Sequence, residues 1–175
     1  MKKILRYVLL TLGVALVAVQ FFPVERSNPP VEQDLGAPPE VDAILRRSCY
    51  DCHSNETVWP WYSKIAPVSW LVVHDVEEGR EEMNFSIWNR YSAKRRAKKV
   101  EEIWEEVEED EMPLRLYTLA HPRTRLSSEE KLLLESWTKT AEKGLASDLQ
   151  ESSNVGMAHE GEDDSDSGHR RGPDH

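Results

Sequence analysis

The chain has 175 residues, a formal net charge of −10 at neutral pH, 39% hydrophobic residues and two cysteines. Its length suits one folded domain. The negative charge argues against nucleic-acid binding, which needs a basic surface, and two cysteines are too few for a disulfide scaffold.

The first 24 residues combine a basic start with an uncharged apolar run. Lys2, Lys3 and Arg6 precede the run from Tyr7 to Val24, which as a helix would span about 27 Å, close to the hydrocarbon core of a bilayer. The positive-inside rule keeps the amino end in the cytoplasm and exports the rest. We predict an anchor in residues 1–24 that holds the domain on the periplasmic (extracytoplasmic) side of a bacterial inner membrane, single-pass. A cleaved signal peptide and a buried core helix are the alternatives.

Two further segments have compositions that predict no fold of their own. Residues 25–38 belong to a proline-rich stretch without periodicity, which predicts a linker that tethers the domain away from the membrane. Residues 144–175 have few large apolar side chains and many acidic ones, which predicts a disordered acidic tail. We interpret the polar tail's candidate ligands as solvated side chains: Met157, His159, His169 and His175.

The region between these segments, residues 39–143, shows helical periodicity and no alternating strand pattern. The predicted fold is therefore all-α. The first predicted helix has Pro39 in its first turn. Its expected inward face consists of Val41, Ile44, Leu45 and Ser48.

Three later helices are predicted from the same spacing. The second starts after Pro67 and the third covers residues 92–110, with a Lys98–Glu102 pair. The last begins at a capping box of Ser127 and Glu130 and stops at Gly144. The inward faces are expected to contain Val68, Leu71, Val72 and Val76 in the second, Ala93, Ala97, Val100, Ile103, Trp104 and Val107 in the third, and Leu132, Leu133, Ser136 and Trp137 in the last.

The two cysteines and a histidine form the sequence CYDCH, at the end of the first predicted helix. Cys49 and Cys52 are three residues apart and His53 follows. A thioredoxin-like redox pair would need an α/β pattern that the chain lacks, and a zinc site would need a second close pair of ligands. Covalent c-type haem attachment has C-x-x-C-H as its local signature. Two thiols would bond the porphyrin edge and the histidine would bind iron from the proximal side. We favour covalent haem attachment, because it takes place outside the bacterial cytoplasm and the amino-terminal segment predicts that this domain is exported.

Two long stretches support it. The sequences CYDCHSNETVWPWYSKIAPVSWLVVHDVEEGREEMNFSIW and EMPLRLYTLAHPRTRLSSEEKLLLESW resemble the bacterial haem-binding domain family, a relative of cytochromes c. The resemblance runs from about residue 41 to residue 141. It implies one covalent haem c in a small cytochrome c-like helical domain.

The resemblance also bears on the second axial iron ligand. Met112 lies in a predicted loop ahead of the last helix and precedes a proline, where the family has a Met-Pro pair. We therefore predict Met112 as the distal iron ligand, a soft thioether that raises the reduction potential relative to two histidines. Met83, His74 and His121 are the alternatives, as is an iron without a second protein ligand.

Other side chains are candidates for softer roles. Four aromatic residues are candidates either for the wall of the haem site or for the ordinary core, and three residues are candidates for propionate contacts. His121 is a further propionate candidate. The aromatic residues are Trp59, Trp61, Tyr62 and Trp70, and the three others are Arg115, Tyr117 and Arg123.

These observations leave more than one function open. We favour a membrane-tethered, single-haem electron carrier that exchanges electrons with an unidentified redox partner protein or respiratory complex, and not an enzyme. The alternative is a haem-based sensor or peroxidase-like enzyme in which the distal ligand is displaced. A third possibility is a haem domain that mainly docks to a larger complex. No acid–base pair of the kind that peroxide cleavage needs is apparent in the sequence.

Overall fold

The computed structural model describes the backbone of residues 1–159 and the side chains of residues 1–147. Within this range the chain is helical, which confirms the predicted all-α class. The helices are α1 (Lys2–Ala18), α2 (Pro39–Ser48), α3 (Tyr50–His53), α4 (Val68–Glu82), α5 (Ala93–Glu108), α6 (Arg115–Ala120) and α7 (Ser128–His159). Short 3₁₀ helices lie at Val19–Phe21, Trp61–Lys64, Trp88–Arg90 and Pro122–Thr124.

The amino-terminal helix is apolar along its whole length. Lys2–Phe21 has a mean hydropathy of 2.0, and none of it is buried against the rest of the protein. It is therefore long and apolar enough to cross a membrane, although a signal sequence would meet the same criteria.

The core lies where α2, α5 and α7 meet the irregular segment that follows α4. The predicted inward face of α2 is buried in full, and Pro39 occupies its first turn. α5 and α7 pack against each other. The buried apolar side chains of this core include Leu45, Tyr50, Phe85, Trp88, Tyr91, Ile103 and Leu134.

The last helix starts as predicted but presents a different face. The Ser127 N–H donates to the Glu130 carboxylate at 2.8 Å, and the Glu130 N–H donates to the Ser127 hydroxyl at 3.2 Å, which completes the capping box. Leu132 and Leu133 are exposed, whereas Leu134 is fully buried. The predicted inward face is therefore wrong at Leu132, Leu133 and Ser136, because three consecutive leucines fit more than one helical stripe. It is confirmed at Trp137, which packs against the core.

The carboxyl end of α7 also differs from the prediction. The helix continues through Gly144 to His159, because Gly144 has helical backbone geometry and open space around its Cα. The predicted tail therefore starts with helical residues. Its remainder, from residue 160, lies outside the described residues.

The face that α4 buries agrees with the prediction at Val76 but differs from it in the first half of the helix. Ser69, Val73 and Val76 are buried, whereas Val68 and Leu71 are exposed. The first half of α4 is apolar on nearly all sides, so spacing alone does not select the face that packs.

The proline-rich segment lies on the domain. The Arg26 guanidinium donates to the Ser63 carbonyl at 2.9 Å and the Asn28 amide donates to the Thr57 carbonyl at 2.9 Å. The predicted tether is thus folded back against the domain. The sequence shows that this segment lacks helical periodicity. It does not predict the contacts with the domain, because hydrogen bonds from side chains to distant carbonyls leave no local sequence pattern.

Candidate functional site

The CYDCH sequence consists of Cys49, which separates α2 from α3, and the single-turn helix α3 itself, and together they form a tight turn. The Cys49 N–H donates to the Leu45 carbonyl at 2.7 Å, which ends α2. The Cys49 carbonyl then accepts from the N–H groups of Cys52 at 3.1 Å and His53 at 2.9 Å. The backbone of this turn is thereby fixed by its own hydrogen bonds, and all three side chains line one cavity.

The His53 ring is oriented by a backbone carbonyl. Its Nδ1 lies 3.1 Å from the Met83 carbonyl oxygen, and since a carbonyl only accepts, Nδ1 carries the proton. Nε2 is then the nitrogen with the free lone pair, the arrangement that metal-ligating histidines commonly show. Burial lowers the pKa of His53, which keeps the imidazole neutral and available as a ligand.

The two thiols are free and protonated. Cys49 and Cys52 form no disulfide, and burial raises the pKa of each thiol to about 12. Redox-active cysteines have lowered pKa values, because the thiolate is the reactive species. The buried pair therefore does not have the electrostatics of a thioredoxin-like site.

Helix α4 crosses directly over the turn at Gly79. A Cβ on Gly79 would lie 2.8 Å from the Cys52 carbonyl oxygen, which is closer than a side chain tolerates. Glycine at this position therefore allows the close approach that brings α4 against the two cysteines and His53.

The cavity has a volume of about 650 Å³, within the range typical of small-molecule and cofactor sites. Its lining includes apolar side chains from several elements, among them Phe85 and Ile103. Eight lining residues are carboxylic acids, and none of the described lining residues is Lys or Arg. The acids are Asp51, Asp75, Glu78, Glu81, Glu82, Glu102, Glu105 and Glu106.

Met112 lines the same cavity as His53. Its N–H donates to the Glu106 carbonyl at 3.0 Å, following Asp110 with a positive φ of 58°. The loop is thereby folded back on the end of α5. Sequence reasoning thus named four residues that the structure brings to one cavity: Cys49, Cys52, His53 and Met112.

The alternatives to Met112 occupy different positions. Met83 also lines the cavity and is largely buried in the core, and its carbonyl holds His53. His74 is exposed and lies 3.4 Å from the Glu78 carboxylate. His121 bonds the Tyr62 hydroxyl. Neither histidine is among the residues that line the cavity.

The four aromatic candidates for the wall of the haem site lie elsewhere. None of the four lines the cavity. Trp59 donates its indole N–H to the Asn28 side chain at 3.1 Å, and Trp70 donates to the Phe22 carbonyl at 3.1 Å. These tryptophans therefore pack where the chain leaves α1, which tryptophan content alone does not reveal.

Only one of the three propionate candidates lines the cavity. Tyr117 does, but its hydroxyl already donates to the Asp51 carboxylate at 2.7 Å. Arg115 and Arg123 are absent from the lining, and His121 is paired with Tyr62. The propionate prediction is thus not supported for the arginines or for His121.

Sequence reasoning missed Gly79 and the carboxylates of the lining. The sequence does contain a pattern that predicts the acidic lining, since acidic residues recur three and four positions apart on α4 and on α5, which places them on one face of each helix. No local pattern predicts the contact between the Met83 carbonyl and His53, because the two residues are 30 positions apart in the chain.

Comparison with known protein families matches residues 14–140 to the haem-binding domain family. The chain belongs to this family. It therefore binds haem, as the sequence resemblance implied. The matched residues begin inside α1 and include the cavity lining. No curated protein and no solved structure matches the chain.

The cavity residues fit a haem group. A neutral imidazole with a free Nε2 and two thiols line a partly apolar cavity of suitable volume. Among the described residues, no group of three or more histidine, cysteine and acidic side chains is arranged to hold a bare metal ion. The carboxylates would repel haem propionates, so the propionates would need partners other than the lining acids.

Proposed function

We propose that this family member holds one haem covalently through Cys49 and Cys52, with His53 as the proximal and Met112 as the distal iron ligand. The observation that carries the proposal is that all four residues line one cavity, with the His53 Nε2 left free by the Met83 carbonyl. This set of residues is typical of a cytochrome c-like site.

The attachment chemistry follows from the protonated thiols. Each S–H group would add across one vinyl double bond to form a thioether, so the sulfur binds carbon, the proton goes to the neighbouring carbon, and no oxidant is needed. The high pKa of Cys49 and Cys52 means that both thiols of the haem-free chain are protonated at neutral pH.

We further propose that the protein is an electron carrier. A bound haem with histidine and methionine ligands supplies reversible one-electron transfer. The apolar side chains of the cavity lining would exclude water from the haem, and the carboxylates would stabilise the more positive ferric state and lower the potential. His53, held by Met83, would keep one orientation in both oxidation states.

The amino-terminal helix supports a membrane tether for this carrier. α1 is exposed on all sides, and the three basic residues Lys2, Lys3 and Arg6 lie at its start. The family match begins at residue 14, inside the helix. Anchorage with the domain on the extracytoplasmic side, where a partner protein or respiratory complex would exchange electrons, is the arrangement we propose.

The axial ligands can be tested in the spectrum of the matured protein. Ferric haem with a methionine ligand has a weak absorption band at long wavelength, and we expect Met112→Ala to abolish it. Met83→Leu serves as the matched control and should leave the band in place. Loss of the band in Met83→Leu alone would contradict the assignment. Rapid carbon monoxide binding by the unmodified ferrous protein would contradict a closed distal side and favour a sensor or enzyme.

A further inference from the structure

A group of exposed apolar side chains lies in the segment between α3 and the middle of α4. Val58 and Trp61 are the most exposed, at 76% and 74% of their surface. We call this group the apolar patch. It consists of Val58, Trp61, Ile65, Val68, Trp70 and Leu71.

The charges around the apolar patch are unlike those of the rest of the chain. Residues 57–74 contain no Asp or Glu, although the chain has 32 of them. Lys64 is the one lysine or arginine in this stretch. The segment combines tryptophans with no carboxylate of its own, a composition that suits the headgroup region of an anionic bilayer, since tryptophan is enriched there and anions are repelled.

The patch is fixed to the end of α1 by specific hydrogen bonds. The Gln20 side chain donates to the Ala66 carbonyl at 2.9 Å and accepts from the Ala66 N–H at 3.0 Å. The Trp70 indole donates to the Phe22 carbonyl at 3.1 Å. The segment that carries the patch is therefore bonded to residues 20–22, where the apolar run of α1 finishes.

This attachment sets the depth of the patch. Lys2–Phe21 comprises 20 residues, and a helix of that length spans about 30 Å, the thickness of the hydrocarbon core. Residues 20–22 would then lie at the membrane–water boundary. Ala66 and Trp70, which are hydrogen-bonded to these residues, would then lie close to the same boundary. The Arg26–Ser63 hydrogen bond adds a second connection between the segment and the residues that follow α1.

We infer that the apolar patch rests on the lipid surface, so that the domain is seated on the membrane instead of being held away from it. The inference rests on the proposed membrane anchor. The occupant of the patch is the headgroup region of the bilayer that α1 crosses. The cavity then has a fixed orientation relative to the membrane, which limits the directions from which a redox partner can approach.

The test uses the full chain, matured with haem and reconstituted into vesicles of phosphatidylethanolamine and phosphatidylglycerol. A nitroxide label is attached to the introduced cysteine of Val58→Cys, with Leu132→Cys as the matched control, since Leu132 is also an exposed apolar residue at 64%. We expect the Val58 label to collide several-fold more with oxygen than with a water-soluble nickel chelate. The Leu132 label should show the reverse preference.

Equal access of the nickel chelate to both labels would overturn the inference. Shielding of the Val58 label from both reagents would also overturn it, because it would indicate a protein partner instead of lipid. Alkaline carbonate extraction of the same vesicles and haem staining after denaturation test the anchor and the attachment separately. If the chain stays in the membrane and keeps its haem while the Val58 label is exposed to water, the inference about the patch is wrong, whereas the proposed anchor and haem attachment stand.

Discussion

The two ends of helix α4 have opposite surroundings. The first half and the segment before it carry the apolar patch, without a carboxylate between residues 57 and 74. The second half carries Asp75, Glu78 and Glu82, which line the cavity, and Gly79, which meets the cysteine turn. One helix thus links the end of α1 to the cavity that holds the two cysteines and His53. Its sequence separates a surface suited to lipid from a surface suited to a cofactor.

The largest effect is expected at the cavity end, from Gly79→Ala. The added Cβ would meet the Cys52 carbonyl at 2.8 Å, and such overpacking against backbone costs about 1–3 kcal/mol. We expect a lower free energy of unfolding, measured by urea titration, together with a smaller yield of haem-attached protein.

Gly144→Ala is the matched control for this substitution. Gly144 lies within α7, and the space that an added Cβ would occupy is open, so alanine should stabilise by about 0.5–1 kcal/mol. If Gly79→Ala retained wild-type stability and haem content, the close crossing of α4 over the cysteine turn would be wrong.

The pH dependence of the unfolding free energy of the haem-free chain reports how well the two cysteine thiols are shielded from water. Burial raises the pKa of Cys49 and Cys52 from 9.0 to about 12, so the folded state holds their protons more tightly than the unfolded state. This stabilisation is complete below about pH 9 and is lost as the pH rises toward 12. We expect the unfolding free energy to fall by about 1–3 kcal/mol between about pH 8 and pH 10.

The control for this titration is the haem-attached protein, in which both sulfurs would be thioethers. Its stability should fall less over the same range, and the remaining slope would come from Tyr50 and Tyr117, whose pKa values are also raised by burial. If the unfolding free energy falls equally with pH in the presence and absence of haem, Cys49 and Cys52 do not form thioether bonds to it.

A smaller effect is expected from the carboxylates of the cavity lining. Glu105→Gln combined with Glu106→Gln removes two negative charges, which should raise the reduction potential by on the order of 10–50 mV in total. Glu101→Gln with Glu108→Gln removes the same charge from positions of α5 outside the lining. A redox titration in which both pairs shift the potential equally would argue against a local role for the lining.

The smallest effect is expected at the patch end. Val58→Ala should change the free energy of unfolding by less than about 0.5 kcal/mol, because Val58 is 76% exposed. Val76→Ala in α4 removes the same atoms from a side chain that is 2% exposed and should cost about 1–3 kcal/mol. Equal costs in thermal or urea unfolding would show that the apolar patch contributes to the core.

The parts of the molecule that sequence predicts well are those fixed by neighbouring residues. The face of α2 and the capping box of α7 follow from local spacing, and both are confirmed. The CYDCH turn is also local, so its three side chains were identified together. Met112 required the family resemblance, and its role as an iron ligand stays a prediction.

The parts that sequence predicts poorly depend on distant contacts. The leucines predicted to face inward in α7 are the wrong ones. Packing against α5 buries Leu134, and the order of the three leucines does not reveal this choice. The position of Trp70 follows from a bond to Phe22, 48 residues earlier. Likewise, the Met83 carbonyl that orients His53 is invisible in any local pattern.

The central claim is that Cys49 and Cys52 hold one haem covalently at this cavity. The most direct test is the intact mass of the chain, purified after maturation and denatured before measurement. We predict a mass increase equal to one haem in the unmodified chain and none in the variant that combines Cys49→Ala with Cys52→Ala. A chain that loses its haem on denaturation, or a double variant that keeps it, would contradict the account.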